Sequence, residues 1–187
     1  METSWIYGLL LGIGLSSAVG FRIFVPALLT SIAAYFDQIT LAAEMQWMGS
    51  MPAIIVFGVA TIAEILAYYI PFVDNALDTL AAPLAVICGS LLVGSTIVEM
   101  EPYVKWPIAI IAGGGTAGII QGGTSLVRLK STSLTAGTAN PVVSSVEGIF
   151  SGVISVVSIV FPIIGALIVV LLFYWVFKKR FKKKAQE

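Results

Sequence analysis

The sequence predicts an all-α protein, a polytopic transmembrane helix bundle of about six spans, on three observations. Hydrophobic residues make up 58% of the 187 and charged residues 11%, where soluble domains carry about 25% charged; mean hydropathy is +1.01. Apolar runs near the roughly 20 residues that a bilayer crossing needs recur along the chain, parted by short polar or proline-marked breaks. Charge is also segregated: Lys+Arg and Asp+Glu balance at 10 each, yet Lys178, Lys179, Arg180, Lys182, Lys183 and Lys184 form one C-terminal block.

Taken in order, the first apolar stretch, 5–36, is longer than one span. Ser16, Ser17, Gly20, Arg22 and Pro26 interrupt it, so a tilt or a break is expected near 16–22. It has no basic leader and outruns a signal peptide, which marks it as a retained membrane segment. A connector, 37–51, holds two acids and no cation. Pro52 suits the first turn of the second helix, which reaches about Tyr69 and carries Glu64. A tight turn over 70–75 follows, with Asn75 as N-cap and Asp78 in the capping-box position. The third span covers 76–98, kinked at Pro83. After a short polar connector, the fourth begins at Trp106-Pro107 and enters the glycine-rich stretch 112–147. The fifth runs from Asn140-Pro141 to about Val160, Pro162 breaks the chain, and the sixth covers 163–177. The expected organisation is a single transmembrane domain, 1–177, with halves 5–98 and 106–177, and a basic cytoplasmic tail, 178–187.

Charge orients this plan. Short cytoplasmic loops carry the Lys/Arg excess, so the basic tail is expected inside; with six spans the N-terminus lies there too. The outward connectors then hold Asp37, Glu44, Glu99 and Glu101 against Lys105 alone, while Arg128 and Lys130 flank an inward one. Trp5, Trp47, Trp106 and Trp175 fall near span ends, where interfacial anchors belong. Each half opens with a glycine-interrupted helix and continues with one that begins and ends at prolines (Pro52 and Pro71, Pro141 and Pro162). Three spans per half make the second an inverted repeat, two inverted three-helix repeats with interrupted first helices being a transporter plan whose breaks mark the binding site.

Ionisable groups inside spans are functional candidates, because an unpaired charge there costs at least about 2.5–3.5 kcal/mol. Arg22, Glu64, Arg128, Lys130 and Glu147 qualify; packing of the halves lets Arg22 meet Glu64 or Glu147, as an ion pathway or as a structural lock. For Arg128 and Lys130 the plainer reading is snorkelling to the inner interface. Asp74 and Asp78, one turn apart, suit a shared cation, although capping accounts for Asp78 without one. Gly114, Gly118 and Gly122 have the four-residue spacing of close helix packing; an unwound turn at Gly122, Gly123, Thr124 and Ser125 would instead offer amides to an anion beside Arg128. Ser16, Ser17, Gly20 and Asn140 complete the candidate pathway.

Other classes lose support. Histidine is absent and Cys88 is the sole cysteine, so His-dependent catalysis, most zinc sites and an internal disulfide are excluded. No cofactor or metal is implied. A Ser–Lys pair, Ser125 with Lys130, or an aspartyl dyad, Asp74 with Asp78, sits in no catalytic motif, so no enzyme is expected. The tail is expected to touch anionic lipid head groups, about 1 kcal/mol per cation, rather than nucleic acid; a homo-oligomer stays open.

Three motifs together, Gly20-Phe-Arg-Ile-Phe-Val-Pro26, Glu64 followed by Tyr69-Ile-Pro-Phe-Val-Asp74, and Asn140-Pro141 with Ser144, Ser145 and Glu147, resemble the bacterial membrane-protein family catalogued as domain of unknown function 4126. The resemblance implies a polytopic fold in the inner (plasma) membrane and no chemistry. The expected function is transport or channelling of a small solute or ion; the alternative is a non-transporting scaffold or lipid-interacting protein.

Overall fold

The computed structural model describes residues 4–70 and 73–184. These form eight α-helices: α1 (Ser4–Val19), α2 (Phe24–Tyr35), α3 (Met51–Ala67), α4 (Val73–Thr96), α5 (Pro102–Ile108), α6 (Gly115–Thr135), α7 (Asn140–Val160) and α8 (Pro162–Lys184). A 3-10 turn, Ala43–Gly49, precedes α3, and a π-helical segment, Ala109–Gly114, joins α5 to α6. By length and apolarity three helical segments can cross a membrane: Leu77–Thr96, Pro102–Thr135 and Asn140–Val160. Ala43–Gly49 with Met51–Ala67, bent by 66°, makes a fourth if counted as one span. The protein is thus a multi-pass membrane protein, with three to four candidate spans by length and apolarity where about six were expected. Ser4–Val19, Phe24–Tyr35 and Pro162–Tyr174 are apolar but shorter.

The expected break in the first stretch is present at 20–23, and its consequence is larger than a kink. Gly8 packs on Thr96 and Ile97, Gly12 on Val93 and Gly89 on Ser16, so α1 runs antiparallel to α4. Beyond the break α2 turns back: Ile23 meets Glu64, Leu28 lies near Gly58, and Ala34 packs on Gly49, antiparallel to α3. Thus α1 and α2 form a hairpin that starts and finishes at one end of the bundle. At about 1.5 Å per residue they measure about 24 and 18 Å, each short of the roughly 30 Å hydrocarbon.

That end, called here the amino end, also holds the 36–50 and 97–101 connectors and Phe161. The opposite, arginine end holds the 20–23 break and the connectors after α3 and α6. Helix α8 starts beside Tyr7 at Pro162 and reaches the level of Phe21 by Leu172, parallel to α1. Ser4 and the basic run in α8 therefore lie at opposite ends. The α1–α2 hairpin adds one reversal to the plan expected from the sequence.

Small residues set the contacts. A Cβ on Gly89 would stand 2.6 Å from Ala117 Cβ and 2.8 Å from Gly113 O; one on Gly20 would stand 2.8 Å from Ala117 O. Such approach is how helices bind one another where lipid offers no hydrophobic drive. Hydroxyls are returned to their own helices: Ser90 donates to Val86 O, Ser155 to Ser151 O and Ser158 to Ile154 O. The apolar core between them comprises Leu11, Leu15, Val19, Leu92, Ala85 and Ala117, among others.

Further expectations are corrected. Helix α4 begins at Val73, so Asn75 lies inside its first turn and does not cap it; the side chains of Asp74 and Asn75, together with Pro71, Phe72 and Trp175, lie outside the described residues. The fourth helix begins at Pro102, not Trp106. It does not unwind at 122–125: α6 runs unbroken to Thr135 and stops where Ala136 and Gly137 take φ of 51° and 85°. The glycines are tolerated because neighbouring turns close their hydrogen bonds; the irregularity falls instead on the π segment at Ala109–Gly114. Only the first of the two expected interrupted helices is interrupted, so the paired breaks that suggested an inverted repeat are not found. The basic run continues α8 to Lys184.

Candidate functional site

The arginine end gathers ionisable residues one to two turns inside the helix ends. Arg22 lies in the break, Glu64 near the close of α3, Asp78 in the second turn of α4, Arg128 in α6 and Glu147 in α7. At their centre is Tyr68, the C-cap of α3. Both guanidinium carbons stand 4.0 Å from the centroid of its ring. The tyrosine separates two like charges and presents its electron-rich faces to each, an attraction of about 2 kcal/mol when desolvated. Arg22 and Arg128 are each 2% exposed, and Tyr68 and Glu147 5%.

Each carboxylate has a distinct task. Glu64 accepts from the amides of Ile23 (2.8 Å) and Phe24 (3.1 Å), the first amides of α2. No residue at the start of α2 caps it by side chain, so a carboxylate from another helix satisfies two orphan donors. Arg128 donates to Asp78 and to Glu147 Oε2. Arg22 donates through Nη2 to the carbonyl of Ser144 (2.9 Å) and to its hydroxyl. Arg22 Nε and Nη1, Arg128 Nε and Glu147 Oε1 are buried without a hydrogen-bond partner.

Sequence expectations are thus partly met. Arg22, Glu64, Asp78, Arg128 and Glu147 do converge. Arg22 bonds neither Glu64 nor Glu147; the break aims it at α7, and Glu147 takes Arg128. Arg128 does not snorkel, whereas Lys130 is exposed as expected. Asp78 accepts from Arg128. Gly20 and Thr124 join the site's edge, Thr124 Oγ1 donating to Gly20 O at 3.4 Å. Ser125 accepts from Gln121 at 3.4 Å. Gly122 and Gly123 are exposed, with open space beyond them. Ser16 and Ser17 lie deeper in α1, donating to Gly113 O and Gly14 O, apart from the arginines.

Asn140 donates to Thr132 Oγ1 at 2.9 Å and helps line a cavity of ≈ 120 Å³ with Tyr68, Tyr69, Gly137 and Pro141. Tyr68 joins this cavity to the arginines. Sequence reasoning missed Tyr68; its signal was its place four residues after Glu64, on the same helix face. It also missed the tie between Lys105 and Glu44 at the amino end. Wider clefts lie at that end: one of ≈ 590 Å³ is lined by Ser4, Tyr7, Gly8, Gln38, Thr96 and Glu99 among others. Among the described residues no His/Cys/Asp/Glu group is placed to hold a metal ion.

No curated protein and no solved structure matches the chain. The family model described as Domain of unknown function (DUF4126) matches residues 9–180, a span that takes in every member of the arginine cluster, and the chain belongs to that family.

Proposed function

We propose that this membrane protein moves a small solute or ion, and that the arginine end is one gate of its path. The observation that carries the reading is the buried cluster around Tyr68, in which Arg22 and Glu147 keep polar atoms without partners. A purely structural lock is expected to satisfy such atoms, since a buried unmet donor or acceptor costs about 1–3 kcal/mol. The cavity at Tyr68 and Asn140 gives access from one side, and the Thr96–Glu99 cleft from the other. Between them Leu15, Val19, Leu92 and Val93 are packed shut. The arrangement corresponds to a closed form that opens by movement of the α1–α2 hairpin.

The proposed orientation puts the arginine end in the cytoplasm, because Arg128, Lys130 and the α8 basic run gather there while Asp37, Glu44, Glu99 and Glu101 gather at the amino end. The basic run would meet anionic lipid. No reaction is proposed: the described hydrogen bond of Ser125 is to Gln121, not Lys130. The test is flux in proteoliposomes across anions, cations and small organic solutes. Uptake of at least one above protein-free vesicles is expected; background flux throughout overturns the reading.

A second reading, a lipid-binding protein without translocation, is favoured by one observation. An apolar cavity of ≈ 470 Å³ lies among α6, α7 and α8, lined by Phe21, Ile120, Val143, Phe150 and Leu172, with Glu147 at its wall. Stoichiometric lipid in the purified protein, combined with background flux, would select this reading.

A further inference from the structure

Helices α2, α4 and α7 begin at the arginine end, α1, α3 and α6 finish there, and α8 runs on past that level to Lys184. A helix start carries about +0.5 of an elementary charge and a helix finish about −0.5. Three of each cancel to first order, so side chains set the charge of the site.

Among the described side chains these are Arg22 and Arg128 against Glu64, Asp78 and Glu147. Two cations face three carboxylates, which leaves one negative charge uncompensated if every group is ionised. The other described side chains nearby do not supply the balance. Tyr68 lies between the arginines as a neutral ring, Tyr69 shares a hydrogen bond with Ser145 (2.6 Å), Lys130 is exposed, and Lys105 is spent on Glu44 at the far end. No three His, Cys, Asp or Glu side chains come together as a metal site among the described residues. Among the described side chains none carries the missing positive charge, and a proton can.

Geometry also selects which carboxyl takes it. Glu64 has both oxygens engaged by the α2 amides. Asp78 is bound to Arg128 and is the more exposed of the two acids on that arginine. Glu147 gives only Oε2 to Arg128; its Oε1 is buried without a partner and its side chain borders the apolar cavity among α6, α7 and α8.

Resting on the transport reading above, we propose that the ion moved through this site is a proton and that Glu147 is its acceptor. The proton adds to Oε1 to give the neutral acid, still held by Arg128 through Oε2. It leaves as a proton to water that reaches the site from the cavity beside Tyr68, and the restored carboxylate keeps its bond to Arg128. No other reactant is needed.

The experiment uses the full chain in vesicles that enclose a pH-sensitive dye, with a membrane potential imposed by potassium and valinomycin. Wild type is expected to change internal pH, and Glu147→Gln to fall to the level of protein-free vesicles. Wild-type flux in Glu147→Gln overturns the assignment of the acceptor. A wild type that moves another solute at constant internal pH overturns the proton alone and leaves transport standing; silence toward protons and all solutes removes both. Because Glu147→Gln also loosens Arg128, infrared spectra of the wild type provide a second measurement. A protonated-carboxyl band that shifts on ¹³C-glutamate labelling is expected in neutral buffer, and its absence overturns the proposal whatever the variant does.

Discussion

At the scale of single residues, the glycines divide into two kinds that look alike in sequence. Gly89 faces Ala117 Cβ and Gly113 O at 2.6 and 2.8 Å from an added Cβ, whereas nothing lies within 4 Å of one on Gly122. Gly89→Ala has to push backbone from backbone and is expected to lower stability by about 1–3 kcal/mol. Gly122→Ala lies mid-helix against open space, where alanine is the better helix former by about 1 kcal/mol; it is expected to be neutral or stabilising. Thermal unfolding of both variants in one detergent checks the pair, and equal losses would contradict the contacts. The glycine-rich run was conspicuous in the sequence, but spacing alone did not separate packing glycines from idle ones. Which face of α6 meets α4 depends on a partner helix some thirty residues away.

At the scale of elements, the broken first helix was legible and its cap was not. Ser16, Ser17, Gly20 and Pro26 weaken a helix locally, and that weakness can be read from the chain. That Glu64 would fill the exposed start of α2 depends on tertiary docking, which local sequence does not encode. Docking also explains why Glu64 is better understood as a cap than as an ion carrier. Glu64→Ala leaves two buried amides unmet and is expected to cost about 2–4 kcal/mol, from roughly 1–3 per orphaned group partly relieved by water. Glu64→Gln keeps one acceptor and is expected to lose about half as much. Chemical unfolding of the two variants is the check; a Gln variant as damaged as Ala would mean that charge, and not acceptor geometry, holds the hairpin.

For the whole molecule, charge bias correctly grouped the connectors: those holding the acids share the amino end, and those beside Arg128 and Lys130 share the other. It did not show the reversal between α1 and α2, because hydropathy merges two short antiparallel helices into one long run. Ser4 and Lys178 are both exposed and belong to opposite ends. In a Cys88→Ala background, Ser4→Cys is expected to react with a membrane-impermeant thiol reagent in intact cells, and Lys178→Cys only after permeabilisation. Labelling of both from one side would restore the even-numbered topology. A meeting of Arg22 with Glu64 or Glu147 was expected from their rarity in apolar segments and Arg128 was expected to snorkel, while the pairings depend on the turn that the break imposes.

The Arg22–Ser144 bond joins residues separated by 122 positions, and this separation has a consequence in time. At about 5–20 residues per second, a growing chain takes roughly 6–24 s to make that interval. Throughout it Arg22 has no α7 to receive it. Glu64, 41 residues after Ile23, emerges much earlier and can pin the start of α2 while the arginine waits. Assembly is therefore expected to be ordered: the hairpin can dock on α3 before α7 closes over Arg22. A chain stalled before Ser144 leaves a buried guanidinium without its acceptor, the state most exposed to membrane quality control.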